Sequence, residues 1–165
     1  SCMIIEDNCR TKKIVAISSL TEDDKHILIW DFDDIKEMDV LKSLSKTQKI
    51  NGLGPIYVFK SKHGYNAICL DKIDIEEANN IKHYTRFSDY THTRIGYNIG
   101  SWCMRVGKDK QYYKMLDVCD TWKKRTQSNA HKRYLELEYN IDKFYGPFDT
   151  YTNMLYESYF QDVIP

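Results

Sequence analysis

The most apolar stretch of this chain, Ile27-Leu28-Ile29-Trp30, runs directly into Asp31-Phe32-Asp33-Asp34. Residues two apart in a strand point to the same face, so Asp31 and Asp33 project together, with Trp30 and Phe32 on the other side. Two ionised carboxylates side by side repel each other, and a cation between them removes the repulsion. Mg²⁺ and Mn²⁺ suit this position because they prefer carboxylate and phosphate oxygens. A pair of such ions about 3.5–4 Å apart clamps the attacking and leaving oxygens of an in-line phosphoryl transfer. The competing reading is that Asp33 or Asp34 caps a helix starting at Ile35. Capping accounts for one aspartate and leaves Asp31 unexplained.

A second group of reactive types is Ser61-Lys62-His63-Gly64, on a short link between two apolar runs. Ser61 and His63 are again two apart, and a hydroxyl beside an imidazole donor suits a phosphate oxygen. Gly64 allows close backbone approach. Polar hairpin tips are common, so the segment gains weight only beside the acid pair.

The order of these residues resembles the archaeo-eukaryotic primase (primase–polymerase) superfamily: Ile29-Trp30-Asp31-Phe32-Asp33, then Ser61-Lys62-His63-Gly64-Tyr65, then a further acid, best matched by Asp89 in Arg86-Phe87-Ser88-Asp89. The segment Trp102-Cys103-Met104-Arg105-Val106-Gly107-Lys108 resembles the phosphate-facing strand of these enzymes. The resemblance spans residues 27–108. It implies DNA-templated nucleotidyl transfer, primer synthesis or polymerisation, by a two-metal mechanism on an RRM-like sheet. Asp31, Asp33 and Asp89 would hold Mg²⁺ or Mn²⁺. Ser61 and His63 would hold the NTP or dNTP, with Arg105 and Lys108 nearby. A single-stranded DNA template is the implied partner, with a helicase or accessory replication domain as a further one. Arg94, Tyr97 and Trp102 are the expected nucleic-acid contacts, because they share one basic segment and aromatic rings stack on bases.

The elements that must position these residues follow from periodicity. Strands are expected at Lys13–Leu20 and Ile27–Phe32, the second central in its sheet because it is apolar on both faces. A helix follows on Ile35, Met38, Leu41 and Leu44. Ile56–Phe59 and Tyr65–Leu70 form a hairpin. Asp74–His83 reads as a helix with Asp74 and Glu77 as a capping box. Arg94–Val106 reads as a hairpin turning near Gly100, Tyr112–Lys124 as a helix, and Leu135–Ile141 as a half-wet strand. Tyr151, Tyr156, Tyr159 and Phe160 read as packing. The expected class is α+β: an RRM-like, mixed, largely antiparallel sheet with packed helices.

The 165 residues fit one domain, a fragment or minimal form of a longer replication protein. Net charge is zero, but 22–37 is acidic while 82–125 is rich in Lys and Arg, as a site with a metal pole and a phosphate pole requires. The five cysteines are odd in number and form no C-x-x-C pair, which argues against a zinc ribbon or disulfide framework and for reduced thiols in an intracellular protein. No apolar run is long enough for a membrane, and the first ten residues do not read as a secretory signal. His83, Asp89 and His92 lack the spacing of a metal site of their own, and the two histidines read as surface groups. Two other functions compete. A rolling-circle nickase needs a His-x-His pair, which the chain lacks. A non-catalytic single-strand-binding or replication-initiation module would not need Asp31 and Asp33 together.

Overall fold

A computed structural model describes residues 4–9, 12–141 and 143–150. The aromatic run from Tyr151 to Phe160 lies outside the described residues. The class is α+β, with four helices and two antiparallel sheets among the described residues. One sheet has the order β1 (Ile4–Cys9), β2 (Lys12–Ser18), β6 (Cys103–Val106). The other has the order β3 (His26–Asp33), β5 (Gly64–Ile73), β4 (Ile56–Lys60), β7 (Gln111–Leu116). The helices are α1 (Glu37–Asn51), α2 (Ile75–His83), α3 (Tyr90–Ile99) and α4 (Asn129–Tyr139).

The strand carrying Asp31 is not central: β3 ends the order of its sheet. Its apolar run is fully buried all the same. The reason is that its outer edge is covered by the α2–α3 segment in place of a strand. The buried Lys82 ammonium donates to the Ile29 carbonyl, and the Asp89 amide donates to the Asp31 carbonyl at 2.7 Å. Edge backbone groups must be satisfied when water is excluded, and a side chain and one amide do so here. Farther back, the Ile27 amide bonds the Ser19 carbonyl at 2.9 Å and so ties the strand to the second sheet.

The two faces of the four-stranded sheet differ. Trp30 points toward the helices, its indole N–H donating to Thr85 Oγ1 at 3.0 Å, and Thr47 of α1 bonds the same hydroxyl at 3.2 Å. Asp31 lies opposite Asn66, which lies opposite Phe59. Directly paired residues share a face, and on this face Phe59 packs against Tyr139 of α4, ring centroids 4.8 Å apart. The acids and α1–α2 are therefore on opposite sides of the sheet.

Three expected elements have a different identity. Arg94–Val106 is not a hairpin: α3 runs through Ile99, and only Cys103–Val106 is strand. The alternation of Ile95, Tyr97 and Ile99 is misleading, because the buried positions are Thr93 and Gly96, three apart. Leu135–Ile141 is not a strand: α4 runs to Tyr139 with Asn140 as its cap, and its buried Ala130, His131, Tyr134 and Leu135 have helical spacing behind a Ser128 cap. Tyr112–Lys124 is not a helix: Gln111–Leu116 pairs antiparallel with β4, whose apolar edge needs a partner. The Asp74–Glu77 capping box is also absent. The Asp74 carboxylate makes no cap hydrogen bond and is held by Lys25 at 2.6 Å.

Candidate metal centre

Asp31, Asp33 and Asp89 each offer a carboxylate oxygen, and these oxygens lie within 4.8 Å of one another. The pair comes from strand alternation at the end of β3, where burial falls from Phe32 to the exposed Asp33. Asp89 arrives from the α2–α3 turn, placed by the hydrogen bond of its own amide to Asp31. One Asp89 oxygen is already engaged, because Oδ1 caps α3, accepting from the Thr91 amide at 2.8 Å and the His92 amide at 3.3 Å. The capping role expected for Asp33 or Asp34 thus belongs to Asp89, on a different helix. The expected helix on Ile35 starts at Glu37, and Lys36 occupies its cap position without a side-chain hydrogen bond.

The electrostatics describe a site short of positive charge. The Asp31 carboxyl is held above its ordinary range by burial first and by the Asp89 charge second. Asp33 is raised by loss of hydration, then by the Asp31 charge and its hydrogen bond with Asp89. Opposing this, Asn66 donates to Asp31 Oδ1 at 3.2 Å, and the Lys110 ammonium bonds the Asn66 side-chain oxygen. Burial lowers the Lys110 pKa, while Asp31 and Asp33 raise it. Lys82, beneath Asp31, is pushed well down by burial, against the charges of Asp31 and Asp89. An all-carboxylate donor set suits a hard divalent cation. Oxygens on one Mg²⁺ stand about 3–4 Å apart, given its bond length of about 2.0–2.1 Å. The three carboxylates need only small rotations to reach that spacing.

The Ser61–His63 link lies against this strand end. Gly64 pairs with Asp33, and the Asp34 amide donates to the His63 carbonyl at 3.1 Å. The His63 side chain is exposed. Ser61 is occupied within its own turn, its hydroxyl donating to the Gly64 carbonyl at 3.2 Å. Gly64 does permit close approach, but to β3: a Cβ there would sit 2.0 Å from the Phe32 carbonyl oxygen.

Other expected site residues are dispersed. Arg105 is exposed on β6, and Lys108 is exposed in the following turn. Arg94 is exposed on α3, and Tyr97 donates to Glu76 at 2.7 Å. Trp102 is corrected: it is 1% exposed, donates to the Thr93 carbonyl at 3.0 Å, and has no free ring face for a base. His92 is half-buried rather than a surface group, its Nδ1 beside Lys82 and its Nε2 at 3.1 Å from the Cys103 carbonyl. Both ring nitrogens are engaged, so neither is free to ligate a metal beside Asp89.

Asn66, Lys82 and Lys110 belong to the site, and no sequence signal singles them out. Asn66 is within reach by counting pairing register back from the hairpin. Lys110 follows a glycine turn whose direction sequence does not give. No protein-family model, curated protein or solved structure gives a significant match to this chain. No helix among the described residues is long and apolar enough to cross a membrane.

Proposed function

We propose that this chain is a metal-dependent nucleotidyltransferase core of the primase–polymerase type, acting on NTP or dNTP with a single-stranded DNA template. The observation that carries this reading is the convergence of Asp31, Asp33 and Asp89 from two separate segments, with their oxygens within 4.8 Å. Asp31, Asp33 and Asp89 would hold Mg²⁺ or Mn²⁺, which supplies charge neutralisation at the phosphates and activation of the attacking hydroxyl. Lys110, whose ammonium bonds the Asn66 side-chain oxygen, supplies positive charge beside the acids and contacts a phosphate oxygen once Asn66 releases it. His63 donates to the triphosphate from the adjoining tip, with Arg105 and Lys108 at the approach. The RRM-like support, a helicase partner and an intracellular setting are parts of the same reading.

A second reading has one observation in its favour. Asp89 caps α3, so its position serves the fold even without a metal. On that basis the chain would be a non-catalytic single-strand-binding module.

Calorimetric titration with Mn²⁺ and a nucleoside triphosphate separates the two. The proposed function requires them to bind together, and requires template-dependent incorporation in their presence. Asp31→Asn is expected to lower incorporation by at least about 100-fold, the usual scale for loss of a group that stabilises the transition state. The fold should be as stable or more so, because one repelling charge is gone. Lys110→Met should weaken triphosphate binding while leaving Mn²⁺ alone bound as well or better. A wild-type protein that binds single strands but neither Mn²⁺ nor triphosphate would establish the binding module instead.

A further inference from the structure

On the sheet face away from the acids, α1 and α2 enclose a groove of ≈ 470 Å³. Its walls carry Ile50, Tyr84 and Phe87, which are 68%, 81% and 39% exposed. Lys42, Lys46 and Arg86 line the same groove. Neither Lys42 nor Lys46 has an ion-pair partner among the described residues. Of the two acids present, Glu77 is held by Arg125 at 3.1 Å, which leaves the groove with a surplus of positive charge. Exposed apolar side chains gathered in one cleft and rimmed by like charges mark a binding surface.

We propose that residues 151–165 of the same chain dock in this groove. That stretch is apolar and aromatic, with Met154, Leu155, Tyr156, Tyr159, Phe160 and Ile164. Its only charged residues are Glu157 and Asp162, so it complements the lysines and arginine in sign. It also starts close to the groove. The Asp149 amide bonds the Gln127 carbonyl at 2.9 Å, and Arg125, two residues before Gln127, holds the groove residue Glu77. Fifteen residues follow Thr150, and fully extended they reach roughly 50 Å. A nucleic-acid strand fits the groove less well. The groove opens on the face opposite Asp31 and Asp33, away from the acids. The inference goes beyond the metal centre and does not depend on it.

The test is methyl-resolved NMR on the whole chain. Nuclear Overhauser contacts are expected from the Ile50 methyl to ring protons of Tyr156, Tyr159 or Phe160. Lys42→Glu combined with Lys46→Glu should lower the docked population about tenfold, since two exposed attractions become repulsions. Both lysines are exposed, and an unchanged Trp30 indole resonance confirms an intact fold. Glu157→Lys with Asp162→Lys, added to that variant, should restore the contacts. Absence of the contacts, or no response to the charge swap, overturns the proposal. So do contacts that arise only between differently labelled chains in a mixed sample, which would assign the groove to a second copy. A poly-dT oligonucleotide that shifts Ile50 and Tyr84 in a protein lacking the contacts would assign it to nucleic acid.

Discussion

Asp89 caps α3 and, in the proposed function, also holds the metal, and its substitutions can be made to separate the two roles. Asparagine keeps an oxygen for the Thr91 and His92 amides but removes the charge beside Asp31 and Asp33. Asp89→Asn should therefore keep its stability within about 0.5 kcal/mol, as good caps interchange, and lose joint binding of Mn²⁺ and triphosphate. Asp89→Ala loses both, with an added cost of about 1 kcal/mol for the cap. Urea unfolding alongside calorimetry reads the two effects. If Asp89→Asn binds the metal as wild type does, Asp89 is a cap alone. At this scale the sequence carries part of the site. Asp31 and Asp33 are legible because strand alternation is local. Lys110 is not, because its place beside Asp31 depends on pairings between segments far apart in the chain.

At the scale of the element, α3 is one of three pieces that sequence periodicity misjudges, and it is the one that carries the Asp89 cap. It is held by Trp102, whose indole lies flush against Gly96: a Cβ at that glycine would meet Trp102 Cδ1 at 2.1 Å. Gly96→Ala should gain helix propensity yet destabilise by about 1–3 kcal/mol, the usual range for overpacking. A rise in thermal midpoint would mean that the indole moves aside without loss. The contact also shows why the hairpin expectation fails. Gly96 and Thr93 are small and neither looks like core, while the conspicuous Ile95 and Ile99 are 47% and 74% exposed. The strands β3, β4 and β5 are readable because their large apolar residues are also buried ones. In α3 the large residues and the buried positions part company, and the period inferred from them is wrong.

Over the whole molecule, stability should depend on pH through histidines that fold in the neutral form. His131 is fully buried between Ser18 and Ser128, and burial pushes its pKa down to about 4. Its unfolded value is about 6.5. The unfolded chain therefore takes up a proton first as pH falls. The contribution is fully present above about 6.5 and shrinks toward pH 4, by about 3 kcal/mol in all. Asp31 and Asp33 act in the opposite sense, since their raised values favour the folded protein once they are protonated. Those acids are common to wild type and to His131→Gln, so the difference between their urea midpoints from pH 7.5 to 4.5 isolates His131. The variant should show the flatter profile. Parallel profiles would mean that folding leaves the proton affinity of His131 unchanged.

The closure of the β3 edge has a consequence for amine chemistry. Lys82 is wholly enclosed, and its ammonium is spent on the Ile29 carbonyl, His92 and the face of Trp102 at 4.5 Å. Reagents that acylate lysines reach it only when the α2–α3 segment lifts from the strand, and the same motion withdraws Asp89 from Asp31. The rate at which Lys82 is acylated, relative to the exposed lysines, is thus a clock for how often the third carboxylate leaves the other two.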